Sequence, residues 1–263
     1  MASRNGRRNG QQNECKAAQD ERWRGRQDER GATQGKRGAK RGLCSAIALV
    51  VCVPAMGILA GCSHDGGDAF SLASYTSPQG TDVRGIAIQV IDREIEVVAS
   101  ADDQLHIDYF ASAKESDDIA VSDEGILTMT SRSDKDWTDY LGTSGSVGAD
   151  RITLQVPDIP LDSLELSTTN EDVSLRIPIV AERVSLTNNG GNISFADLGA
   201  ASSIELESKN GNISGTIAGS YDDYAIACTI KKGDANLPAT KSTGSKTLSA
   251  KNNNGDIDIA FQP

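Results

Sequence analysis

Little in this chain is equipped for chemistry. Its 263 residues hold two histidines, His64 and His106, and five cysteines. So few imidazoles and thiols leave no cluster of Cys/His ligands for zinc. A Ser-His-Asp relay needs a buried, oriented base, whereas His106 alternates outward between Leu105 and Ile107. Four of the cysteines fall at or before residue 62, so Cys228 is the one thiol beyond it and no disulfide can close there. Positive charge is also scarce: residues 62–263 hold 14 Lys+Arg against 32 Asp+Glu, a net of −18. Phosphate backbones need cationic partners, so nucleic acid is excluded as a ligand. After residue 62 no apolar run has helical period and length. Neither an EF-hand loop nor a nine-residue calcium repeat is present. No metal, no cofactor and no catalytic residue is therefore expected, and the chain does not read as an enzyme.

What is there begins with a boundary. Residues 1–42 form a basic, polar extension with 12 Lys+Arg and 5 Asp+Glu. The uncharged run Leu43–Gly61 follows, ending Leu59-Ala60-Gly61, and Cys62 stands next. Basic stretch, apolar stretch and small residues are the order of a secretory signal. With cysteine at the end, the stretch is similar to a bacterial lipoprotein signal. That resemblance implies cleavage before Cys62, acylation of Cys62 and export of the remainder to the cell envelope. An uncleaved anchor helix is the alternative, since nineteen residues rise about 28 Å. It would leave the C-terminal part on the same side. Residues 62–82 are rich in Gly, Ser, Asp and Pro and read as a flexible tether.

From residue 83 to 263 the chain reads as a single all-β domain. Ile86, Ile88 and Val90 share one face, as do Ile95 and Val97, then Leu105, Ile107 and Tyr109. Period two in short runs marks half-buried strands. The second half repeats. Aligning Asp172, Asn192, Asn212, Asp234 and Asp256 gives spacings of 20, 20, 22 and 22 residues. Two apolar slots precede each turn, as in Val184/Leu186 and Ile204/Leu206. Two follow it, as in Ile193/Phe195 and Ile257/Ile259. Between the latter stands Ser174, Ser194, Ser214, Asn236 or Asp258. Gly191, Gly211, Gly233 and Gly255 precede the aligned position, with Glu171 the exception, and suggest positive φ. Thr168, Asn188, Ser208, Ile230 and Asn252 fill an inward slot from which a side chain can bond turn backbone. One such unit cannot bury its apolar face, whereas stacked units can. The expectation is a parallel β-solenoid, or β-helix-like stack, of roughly 20–22-residue coils; a β-sandwich of hairpins is the alternative.

The opening alternation Ile86–Tyr109, the strand Ile152–Pro157 and the turns NEDVSL, NNGGNISF, KNGNIS, KKGDANL and NNGDIDI resemble a bacterial family of candidate adhesins, a β-solenoid domain of unknown function. KKGDANL departs from the pattern with a basic turn and alanine in an apolar slot. The resemblance implies a non-catalytic domain for binding or surface presentation, with an envelope polymer, a glycan or a surface protein as partner. An envelope-stress accessory or sensor is a second class. An enzyme acting on polysaccharide is a third, but it would need clustered carboxylates in a groove.

One segment breaks the repeat. Residues 132–149, RSDKDWTDYLGTSGSVGA, are long for a loop and contain Trp137 and Tyr140. Aromatics among polar residues suit a recognition surface, or they fold back to cover an end of the stack. Trp137 and Tyr140 are the candidate binding residues, and Cys62 the lipidation site.

The anchor is the first expectation to test. Two acyl chains hold a protein on a membrane where one does not. Mass spectrometry of the mature protein should find acylated Cys62 at its N-terminus, and Cys62→Ala should leave precursor unprocessed. An intact, unacylated N-terminus in the wild type would overturn the lipoprotein reading.

Overall fold

The computed structural model describes residues 70–112, 115–133 and 150–263. The extension 1–42, the segment 43–61, Cys62, Trp137 and Tyr140 lie outside the described residues. Among the described residues sixteen strands form one mixed sheet. They are β1 (Ser71–Thr76), β2 (Gly85–Gln89), β3 (Glu94–Ala99), β4 (His106–Ala111), β5 (Glu115–Val121), β6 (Ile126–Ser133), β7 (Arg151–Val156) and β8 (Leu161–Thr168). There follow β9 (Val173–Leu175), β10 (Ile179–Asn188), β11 (Ile193–Ser208), β12 (Ile213–Ala218), β13 (Tyr224–Ile230), β14 (Thr240–Lys241), β15 (Lys246–Asn252) and β16 (Ile257–Gln262). Among the described residues the one helical piece is a 3₁₀ turn, Tyr221–Asp223.

The repeats pair side by side in parallel, not as hairpins, and the sheet winds in a solenoid-like way. The pre-turn strands form one ladder in the order β6, β2, β8, β10, second half of β11, β15, β13. The post-turn strands form another: β7, β3, β9, first half of β11, β12, β16. Numbered by position in the stack, coil 1 is β6/β7, coil 2 β2/β3, coil 3 β8/β9 and coil 4 β10 with the first half of β11. Coil 5 is the second half of β11 with β12, coil 6 is β15/β16, and coil 7 is β13 with Ala235, which bridges Ile257 in parallel.

The expected slots meet in register. Leu166, Leu186, Leu206, Ala250 and Cys228 line up across one ladder. Val173, Ile193, Ile213 and Ile257 do so across the other. All face a single buried core, while Ser194 and Ser214 face outward. Cys228 packs there as a small hydrophobe, and burial pushes its thiol pKa up.

Spatial order departs from chain order at both ends. Coil 1, formed by later residues than coil 2, lies outside it. Coil 7 likewise lies outside coil 6, although its residues come first. The coil 5-to-7 crossing is held by Tyr221, whose ring meets Phe261 edge-on at 5.4 Å and sits 4.8 Å from Lys241 Nζ. Lys241 Nζ also donates to the carbonyls of Tyr221, Tyr224 and Thr243. This lysine binds backbone oxygens at an end where an open strand edge would invite pairing.

Turn chemistry fixes the spacing between coils. The side-chain oxygen of Asp172 accepts the N–H of Asn192, that of Asn192 accepts from Asn212, Asn212 from Asp256, and Asp256 from Asp234. One unbroken chain of acceptors thus runs along the turn edge from coil 3 to coil 7. Behind it, inward side chains bond the carbonyl of the coil before: Thr168 donates to Arg93 O, Asn188 to Glu171 O and Asn252 to Gly211 O. Asn188 Oδ1 also accepts from Gly190 and Gly191 in its own turn. Ser208 makes no such bond, and its buried hydroxyl has no partner.

The segment 62–82 is corrected in part. Its residues 71–76 form β1, antiparallel to β4, and Ser77 beyond them is buried. The ordered domain therefore begins before residue 83. SLASYT is held by backbone pairing at a sheet edge, and only Tyr75 packs partly against the core.

Leu206→Ala should cost about 2–5 kcal/mol as a buried leucine truncation, with Ser194→Thr nearly neutral, in urea unfolding. Ser208→Asn should stabilise by about 1 kcal/mol, because its amide can reach Gly191 O as Asn188 and Asn252 reach theirs. Equal sensitivity at Leu206 and Ser194 would overturn the assigned faces.

Candidate functional site

The expected loop springs from the turn edge of coil 1, between the end of β6 and the start of β7. Trp137 and Tyr140 lie outside the described residues, but its roots do not. Next to them the chain reverses: β4 and β5 run antiparallel to β7 and β6 and close this end of the stack. The reversal carries a buried charge. Arg93, 4% exposed, occupies in coil 2 the position that Glu171 holds in coil 3. Its Nη1 donates to Phe110 O at 2.6 Å, and its Nη2 lies 3.7 Å from Asp117 and 3.8 Å from Glu115. The Asp117 side chain is fully buried. Its Oδ1 accepts from Ser131 Oγ at 2.9 Å, while Oδ2 has no hydrogen bond and meets Arg93 at ion-pair distance. Burial raises the Asp117 pKa, against the pull of Arg93. Tyr109 beside it is also raised, first by burial and then by Asp117.

Sequence reasoning missed this group. A signal existed: Glu115 and Asp117 alternate with Ile119 and Val121 on one face of β5, and an inward carboxylate needs a buried cation. The arrangement binds β4, β5 and the coil 2 turn together. It offers no nucleophile.

His106 is less exposed than its alternation implies, with 21% of its side chain accessible. Its Nε2 lies 2.9 Å from Asp102 Oδ1 and its Nδ1 3.0 Å from Thr76 Oγ1. The bond to His106, followed by the Gln104 N–H, holds the Asp102 carboxyl below its ordinary range. Asp102, His106 and Thr76 thus lie in relay order. The hydroxyl, however, belongs to an exposed edge strand, where nothing excludes water from a reacting group. Among the described residues no cluster of three His, Cys, Asp or Glu could hold a metal ion. No helix among them is long and apolar enough to cross a membrane.

The outer face of the post-turn ladder is polar along its length. Thr153, Glu96, Ser174, Ser194, Ser214, Asp258 and Asn236 form one column across it. Ser174 and Ser194 hydroxyls are 3.1 Å apart. Arg176 and Arg151 both pair with Glu96 toward the coil 1 end. Hydroxyls, amides and carboxylates are held there at strand spacing by the stack beneath.

A family model described as Toastrack DUF4097 matches residues 83–263. No curated protein matches the sequence. Among solved structures, a candidate cell adhesion protein from Clostridium sporogenes ATCC 15579 is similar over 73% of this chain and 100% of its own, at 10% identity and a TM-score of 0.47. A candidate adhesin from Bacteroides fragilis NCTC 9343 covers 74% of this chain and 99% of its own, at 13% identity and a TM-score of 0.34. Another from Parabacteroides distasonis ATCC 8503 covers 74% and 98%, at 12% identity and 0.30.

Removing the Arg93 cation should unfold the closed end first. Arg93→Met leaves the buried Asp117 carboxyl without its cation and should cost about 3–5 kcal/mol in urea unfolding. Asp117 sets a pH dependence of known sign. Its folded pKa lies above the ordinary 3.8, so the native state keeps a proton that the unfolded chain has released. Stability from this group therefore falls as pH rises through the window above 3.8, and Asp117→Asn should abolish that fall. Identical pH profiles for wild type and Asp117→Asn would overturn the assignment.

Proposed function

The chain belongs to the Toastrack DUF4097 family, and we propose that its domain is a non-catalytic module for binding or surface presentation. In this reading it is a parallel β-solenoid on the outer side of a bacterial membrane, held there by lipid on Cys62. The observation that carries the reading is the outer column from Thr153 to Asn236. It is a polar column laid over a buried apolar core. Such a face suits many weak hydrogen bonds to an extended partner. The Trp137 and Tyr140 loop, rooted at the coil 1 end, supplies the aromatic anchors that recognition surfaces favour. The partner class is an envelope polymer, a glycan or a surface protein. A net charge of −18 over residues 62–263 repels nucleic acid and anionic lipid alike.

Trp137 is the sole tryptophan after residue 61, so its emission reports on this loop alone. Under the binding reading, free protein emits red-shifted, quencher-accessible light, and purified envelope glycans change it. Trp137→Ala then weakens glycan capture at an unchanged melting temperature. A blue-shifted Trp137 whose loss costs about 3–5 kcal/mol would make the loop a structural cover instead. Capture that is unaffected by Trp137→Ala would remove the loop from the binding surface.

A further inference from the structure

The strand nearest the N-terminal side is attached unlike every coil behind it. Among the described residues β1 pairs only with β4, antiparallel, in six opposed pairs from Ser71↔Ala111 to Thr76↔His106. None of its residues is buried, and Tyr75 alone packs partly against the core. Three of its hydroxyls bond β4: Ser71 to Ala111 O, Ser74 to Asp108 and Thr76 to His106. By contrast β2, the next strand along the chain, is paired on both sides, with β6 and β8, and buries Ile86 and Ile88.

Between the two strands stands a stop. Ser77 N–H donates to Leu105 O at 2.9 Å, its Oγ accepts from Leu105 N at 3.0 Å, and its carbonyl accepts from Gln104 Nε2 at 2.6 Å. Ser77 is 4% exposed, so these bonds are shielded from water. Just before the stop, His106 ties Thr76 to itself and, through its other nitrogen, to Asp102.

We propose that β1 is a releasable strap. It peels from β4 as far as Ser77 while the coils stay folded, and it re-zips when slack returns. The edge position sets the mechanics. Tension on the N-terminal side reaches Ser71↔Ala111 first and then opens the pairs one at a time, ending at Thr76↔His106. A strand paired on both sides, such as β2, must instead part from two neighbours. Release of six residues adds about 20 Å of reach. That benefit rests on the reading of the N-terminal side as a membrane tether; the detachment itself does not.

Native-state hydrogen exchange on the mature protein in solution tests the detachment. The hydrogen-bonded amides of residues 71–76 should exchange about 100-fold faster than those of Ile86 and Ile88, because local opening precedes global opening. A Ser74→Cys/Asp108→Cys disulfide should slow them about tenfold or more, since stapled strands cannot part, and reduction should restore the rate. Exchange in β1 as slow as in β2 would overturn the proposal. So would fast exchange that persists with the staple closed, because the amides would then open without the strand leaving. Neither result depends on acylation, which the mass of the mature N-terminus decides separately.

Discussion

In coils 4 to 7 the residue just before the aligned Asp or Asn admits no side chain, and the spacing of those coils follows from that closeness. A Cβ on Gly211 would stand 2.2 Å from the carbonyl oxygen of Gly191, and one on Gly255 would stand 2.3 Å from that of Gly211. Both glycines also have positive φ, 128° and 138°. Backbones can then approach until the Asx oxygens reach the next coil's N–H groups. At that distance Asn188 and Asn252 span to the neighbouring carbonyl, and the apolar slots stack into one buried core. Core packing supplies most of the free energy, as in any folded domain. The register in which it is gained is dictated at the turn, where a one-residue slip would put a Cβ into a carbonyl.

The part of the fold that repeats was legible in the sequence, and the reason is this register. Leu186 and Leu206 fall in equivalent slots because stacking demands equivalence, and a fixed spacing records it. Cys228 was legible as a core residue by the same rule. Spatial order was not legible. KKGDANL departs from the pattern and NNGDIDI keeps it, but nothing in either states which lies outside. The outcome depends on the crossing at Tyr221 and on the oxygens that Lys241 binds, both outside the repeat.

The closed end was legible least. Arg93 and Asp117 are 24 positions apart, and they meet only because β4 and β5 reverse direction. Asp92 and Arg93 read as an ordinary polar turn when taken alone. β1 escaped notice for a related reason: a strand held by backbone bonds and hydroxyls leaves no apolar period. The sequence therefore displays the core well and the ends poorly. The ends are where the candidate loop is rooted.

The exchanged order of the outer coils bears on how such a protein can change its length over generations. A solenoid whose coils follow one another in the gene can grow by copying its last repeat. Here residues 246–262 lie between coils 5 and 7, and residues 85–99 lie between coils 1 and 3. A repeat duplicated at either end of the domain would find both its faces already taken. Only the collinear stretch 161–218, coils 3 to 5, can accept or lose a unit without rethreading a crossing. Variation in stack height among related proteins should accordingly map to the middle of the chain, with the two ends inherited as fixed pieces.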